Sequence, residues 1–148
     1  MWFRVFAICT FLTLCSCMSS GGLTVGVVNR PLADLQHIAA KSLPLGLRKT
    51  SPNGREFFSN YFVSTDRKFK AADKAPERKY AQILVLGDSR PYTIQVYVQV
   101  ERLDKSTLSG YSVVGTDVRI AKVVKKRIQS QLNKRREDLN IIDDFRVF

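Results

Sequence analysis

Cysteine is missing from this sequence beyond position 17. Cys9, Cys15 and Cys17 are the only three, all within the leading segment. If that segment is removed up to Cys17, one thiol remains, which excludes an intrachain disulfide. His37 is the only histidine. With no second imidazole and no spare thiolate, no ligand set for a transition metal can be assembled, and no metal or other cofactor is expected. Acid is scarce as well: 13 Asp and Glu stand against 24 Lys and Arg, for a net charge of +11. Gly (8) and Pro (5) are few and hydrophobic residues make up 45%, which excludes a disordered chain. No apolar run reaches the roughly 20 residues of a membrane-spanning helix.

The longest apolar run, Val5 to Leu14, follows the single charge of Arg4 and leads to small residues. A positive start, a short apolar core and a small-residue exit make a secretory signal. The exit Leu14-Cys15-Ser16-Cys17 resembles the lipobox of bacterial lipoproteins. That resemblance implies a signal peptide over residues 1–16 and diacylglycerol on the Cys17 thiol. It also implies a fatty acyl chain, such as palmitate, on the new N-terminus. Cys15 does not fit the role, because Leu14 before it is too large for the cleavage site. Several acyl chains anchor a protein stably where one does not. Met18 follows Cys17 where an Asp would favour inner-membrane retention in enteric bacteria, so the resemblance points to the periplasmic side of the outer membrane. The alternative is an ordinary signal peptide with incidental cysteines.

After loss of Arg4 the chain keeps about +10 on the same counting. Roughly 130 residues suit one domain with a core of its own. In the cytoplasm such a charge suggests nucleic acid. For an exported chain the available polyanions are phospholipid headgroups, lipopolysaccharide, cell-wall polymers and acidic protein faces, and no nucleic-acid partner is expected.

Residues 17–30, with Ser19-Ser20-Gly21-Gly22, read as the lipidated Cys and a flexible tether, with a weak strand signal at Leu23 to Val28. Residues 31–148 read as one domain. Pro31 to Leu43 predicts a helix with Leu32, Leu35, Ile38, Ala39 and Leu43 on one stripe. Leu47 to Thr50 and Arg55 to Val63 flank Asn53-Gly54 and predict a hairpin. In its second strand, Phe57 and Tyr61 fall on one face, Phe58 and Phe62 on the other. Ser64 to Lys79 and Leu103 to Gly115 read as loops. Tyr80 to Leu86 and Tyr92 to Arg102 predict a second hairpin. Tyr92, Ile94, Val96, Val98 and Val100 alternate with polar residues there, which marks one buried and one wet face. Thr116 is the expected N-cap of a long helix, Asp117 to Leu139, whose stripe is Ile120, Ala121, Val124, Ile128 and Leu132. Asn140 ends it, and Ile141 to Phe148 form a last strand or a docked extension.

The expected fold is α+β: a four-stranded antiparallel sheet of two hairpins with two helices on one face. This order of elements is similar to the small helix-grip domains of the lipoprotein subunits in the outer-membrane β-barrel assembly machine, over roughly residues 31–139. No binding motif carries over residue by residue. Phe148 resembles the closing aromatic of outer-membrane barrels, but Asp144 and Arg146 break the alternation and no barrel strands accompany it.

Eight basic residues and no acid lie between Arg119 and Arg136. Arg119, Lys122, Lys125, Lys126 and Arg136, with Gln129 and Asn133, read as a basic face opposite the apolar stripe and a possible contact with an anionic surface. The bland alternative is a solvated helix face. Phe57, Tyr61 and Tyr97 read as a shared aromatic patch for a protein partner, against simple cover by a loop or the tail. Ile83 to Ser89 resembles the nucleophile block of GDSL hydrolases, and Asp34-Leu35-Gln36-His37 that family's Asp-x-x-His pair. The order is reversed, however, and Ser89 leads into Pro91 and a strand rather than a helix. His37 reads as wet surface. The function expected is therefore non-enzymatic: a lipid-anchored accessory or scaffold protein with an envelope protein partner. The alternatives are direct binding of an anionic envelope ligand and, furthest behind, a serine hydrolase.

Overall fold

The computed structural model describes residues 22–65 and 68–144. The segment expected to be a signal peptide, the proposed anchor at Cys17 and residues 145–148 lie outside them. The elements in chain order are β1 (Leu23–Val28), α1 (Leu32–Ser42), β2 (Leu47–Thr50), β3 (Glu56–Ser59) and β4 (Phe62–Thr65). Then follow β5 (Lys68–Ala71), β6 (Glu77–Leu86), β7 (Tyr92–Leu103), β8 (Tyr111–Thr116) and α2 (Val118–Asp144).

One antiparallel sheet carries all eight strands, in five columns. β6 and β7 pair along their length, from Glu77 opposite Arg102 to Leu86 opposite Thr93. β1 and β8 share the outer edge of β7, β1 along Tyr92–Val96 and β8 along Gln99–Leu103. On the other side β3 and β4 follow one another along β6, and β2 and β5 pair outside them. The fold is thus α+β with two helices on one face, and the sheet is wider than the four strands expected. Leu23–Val28, a weak strand signal inside the expected tether, is an edge strand of the sheet and belongs to the domain. The stretches read as loops contain the end of β4, all of β5 and the start of β6 in one case, and most of β8 in the other. Lys68, Phe69 and Lys70 alternate around one half-buried ring, and Val113 and Val114 are exposed, so neither segment shows the pattern of a buried strand.

Alternation does its work on the central pair. Tyr92, Ile94, Val96 and Val98 of β7 and Ala81, Ile83 and Val85 of β6 are buried on the helix side. Leu35, Ile38, Ala39 and Leu43 of α1 meet them there, as do Ile120, Ala121, Val124 and Ile128 of α2. Leu132 is only half-buried at the end of that stripe. α2 does not stop at Asn140. It runs on to Asp144, so residues 141–144 are helix rather than strand. The β2–β3 turn is closed by Gly54 at φ +65°, where a side chain would also strike the Gln36 amide that donates to the Gly54 carbonyl oxygen at 3.0 Å.

The hairpin aromatics depart from the expected phase. Between β3 and β4 the chain breaks at Asn60-Tyr61, which shifts the inside–outside alternation by one residue. Phe57 and Phe62 are therefore both in the core, at 3% and 0% exposure, while Phe58 and Tyr61 turn to the other face. Phe57 is no part of a partner patch.

Candidate functional site

The basic helix α2 is fixed at three heights. At its start Asp117, not Thr116, is the N-cap: Oδ1 accepts from the Arg119 and Ile120 amides at 3.0 and 3.1 Å, and Oδ2 accepts from Lys79 Nζ at 2.9 Å. Midway, Lys125 Nζ donates to the Thr24 carbonyl oxygen of β1 at 2.7 Å. Two turns on, Arg30 donates to the Leu132 carbonyl oxygen at 3.3 Å. Burial raises the Asp117 pKa, but the bond from Lys79 and the two helix amides outweigh it and hold the carboxyl below its ordinary value. A depressed carboxyl contributes stability that is present above the ordinary Asp range and lost as pH falls through the folded value. Asp117→Ala is expected to cost about 1–2 kcal/mol near neutral pH. In melting curves taken across pH, the gap between variant and parent should close below about pH 4.

Of the five basic residues singled out, Arg119, Lys122 and Lys126 are exposed. Lys125 is half-buried and bonded to β1, because it lies on the flank of α2 that faces that edge rather than opposite the core. Position 136 is helical, and its side chain lies outside the described residues. On the other flank an open groove of about 710 Å³ runs between α2 and the β4–β5 hairpin, with Arg119, Arg127, Ser64 and Phe69 in its walls. The Arg127 guanidinium sits 5.1 Å from the Phe69 ring centroid there.

The helix-free face of the sheet carries an arrangement absent from the sequence reading. Arg78 lies between the Tyr61 and Tyr111 rings, 3.5 Å from each centroid, and pairs with Glu101 across the β6–β7 ladder at 2.8 Å. Arg48 covers Tyr61 at 4.1 Å, and Tyr61 meets Tyr80 edge-on at 5.9 Å. Burial pushes the Tyr80 phenol up, Glu101 and Tyr61 add to this, and Arg48 and Arg78 oppose it. Tyr61 thus belongs to an internally satisfied stack. Tyr97 stands apart, donating to Gln95 Oε1 at 2.9 Å and lying against Gly22, where a Cβ would fall 2.3 Å from the ring. The three predicted patch residues are not brought together. The signal for the real cluster was the cross-strand Arg78–Glu101 pair, with tyrosines on the same wet face.

Ser89 is exposed in the turn between β6 and β7, and His37 is exposed on α1. Among the described residues no group of three His, Cys, Asp or Glu side chains could hold a metal ion, and no helix is long and apolar enough to cross a membrane. No protein-family model, curated protein or solved structure matches the chain.

Proposed function

We propose that this chain is a lipid-anchored envelope protein on the periplasmic side of the outer membrane, acting as a non-enzymatic accessory or scaffold for an envelope protein. The observation that carries the reading is the sequence Leu14-Cys15-Ser16-Cys17 at the end of a short apolar segment, six residues before the first strand, β1, of the α+β domain. A small domain whose helix-free face holds its Arg78–Glu101 pair inside a tyrosine stack, and whose α2 exposes Arg119, Lys122 and Lys126, suits binding. Crosslinking in intact cells, followed by identification of the captured protein, tests the scaffold role. Recovery of no envelope protein would remove it. The anchor has its own test. Cys17→Ser is expected to yield an uncleaved or soluble form that takes up no labelled fatty acid, and uptake by that variant would refute the assignment.

A second reading, direct binding of lipopolysaccharide, phospholipid or cell-wall polymer, draws on the acid-free basic run from Arg119 to Arg136. Binding that weakens with salt and needs no protein partner would favour it.

A further inference from the structure

The root of the tether and the basic helix occupy the same edge of the molecule. Gly22 is packed on Tyr97 at the start of β1, and two residues later the Thr24 carbonyl oxygen receives Lys125 Nζ. Two extended residues span about 7 Å, and the Thr24 carbonyl and its hydrogen bond add about 5 Å, so the Lys125 ammonium lies about 12 Å from Gly22 at most. From Cys17 to Gly22 a fully extended chain covers at most about 18 Å. An acylated Cys17 would therefore keep the β1 edge, and α2 above it, close to a bilayer surface. The opposite edge, at β2, lies four columns away, or roughly 19 Å.

Charge then selects which surface turns to the lipid. Arg119, Lys122 and Lys126 are exposed on α2, on the side away from the core. The first acids after them, Glu137 and Asp138, come only beyond Arg136. The helix-free sheet face is the other surface within reach of the tether, but its Arg78 is already paired with Glu101 and stacked. Resting on the lipid-anchor reading, we propose that the first five turns of α2 lie along the surface of an anionic phospholipid bilayer. Lys125 locks the helix beside the tether, and Arg119, Lys122 and Lys126 face the headgroups. This orientation leaves the helix-free face of the sheet, which carries Lys49 opposite Phe58, pointing away from the membrane and open to a protein partner.

Because no cysteine follows Cys17, one introduced thiol in the acylated full-length chain is unique. A fluorophore at Gln129→Cys on α2 or at Lys49→Cys on β2 can be read in vesicles containing nitroxide-labelled lipid as quencher. The vesicles are phosphatidylcholine alone, or with phosphatidylglycerol. The label at 129 should be quenched with phosphatidylglycerol at low salt, and that quenching should fall to the neutral-vesicle level at high salt. The combined change Arg119→Gln, Lys122→Gln, Lys126→Gln should do the same at low salt. The label at 49 should stay unquenched throughout. Equal quenching at 129 in both vesicle types, or quenching at 49 instead, overturns the proposal. Flotation on neutral vesicles reports the anchor by itself. A chain that does not float refutes the anchor and the orientation with it, whereas a chain that floats without quenching at 129 refutes the orientation alone.

Discussion

Phe57→Ala is expected to cost about 3–5 kcal/mol of folding stability, the range for emptying a buried aromatic site. The ring is 3% exposed, its residue pairs with Ile83 of β6, and it belongs to the core under the two helices. The total stability of an ordinary domain is about 5–15 kcal/mol, so this one truncation removes a large part of it. In urea denaturation the midpoint should drop with an unchanged slope. A ring on a solvent-facing patch would shift stability by no more than about 0.5 kcal/mol, so a midpoint near that of the parent would return Phe57 to the surface. Phe58, one residue along, supplies the contrast. It is half-buried on the helix-free face, 6.3 Å from the Tyr80 ring, and its truncation should cost clearly less.

The second large effect is at Arg78. Its side chain is 11% exposed, that of Glu101 14%. Arg78→Ala withdraws the cation from between two tyrosine rings and leaves the Glu101 carboxylate with a largely desolvated charge. Breaking a fully buried pair by deleting one member costs about 3–5 kcal/mol. This pair retains some solvent, so about 2–4 kcal/mol is expected, part of it from the lost ring contacts. Arg78→Lys keeps the charge but not the planar stack, and should fall between. A double-mutant cycle with Glu101→Gln isolates the pair from the stack. A cost below about 1 kcal/mol for Arg78→Ala would class the whole arrangement with ordinary surface ion pairs.

Much of this fold was legible where one residue's environment repeats at a fixed period. The alternation Tyr92, Ile94, Val96, Val98 identified β7, and the stripe Ile120, Val124, Ile128 identified the buried side of α2. Period alone cannot reveal a break. Nothing in Ser59-Asn60-Tyr61 announced the shift that sends Phe62 inward with Phe57, and a single slipped residue exchanged the two faces. Edge strands are quiet for a related reason: β5 and β8 bury little, so their sequences resemble loops. Of the candidate site, the basic character of α2 was readable from composition. The role of Lys125 was not, because it depends on β1, a strand 101 residues earlier, lying beneath it. The Arg78 stack needed three strands at once, β6, β7 and β8, plus the β3–β4 break that turns Tyr61 outward.

The pairing of β1 with β7, and the seating of α2 on β1, also set the order in which this chain can finish folding. Leu23 lies opposite Val96, and Thr24 is held from Lys125, so the first strand has no partner until most of the polypeptide is present. Closing such long loops has an entropic cost before any contact rewards it, and folds dominated by distant pairings form in milliseconds to seconds rather than microseconds. An exported chain that emerges N-terminus first would meet its sealing element, α2, last. The same distant pairings would keep such a chain open until its end had emerged, and would complete the domain only once α2 had arrived beside β1.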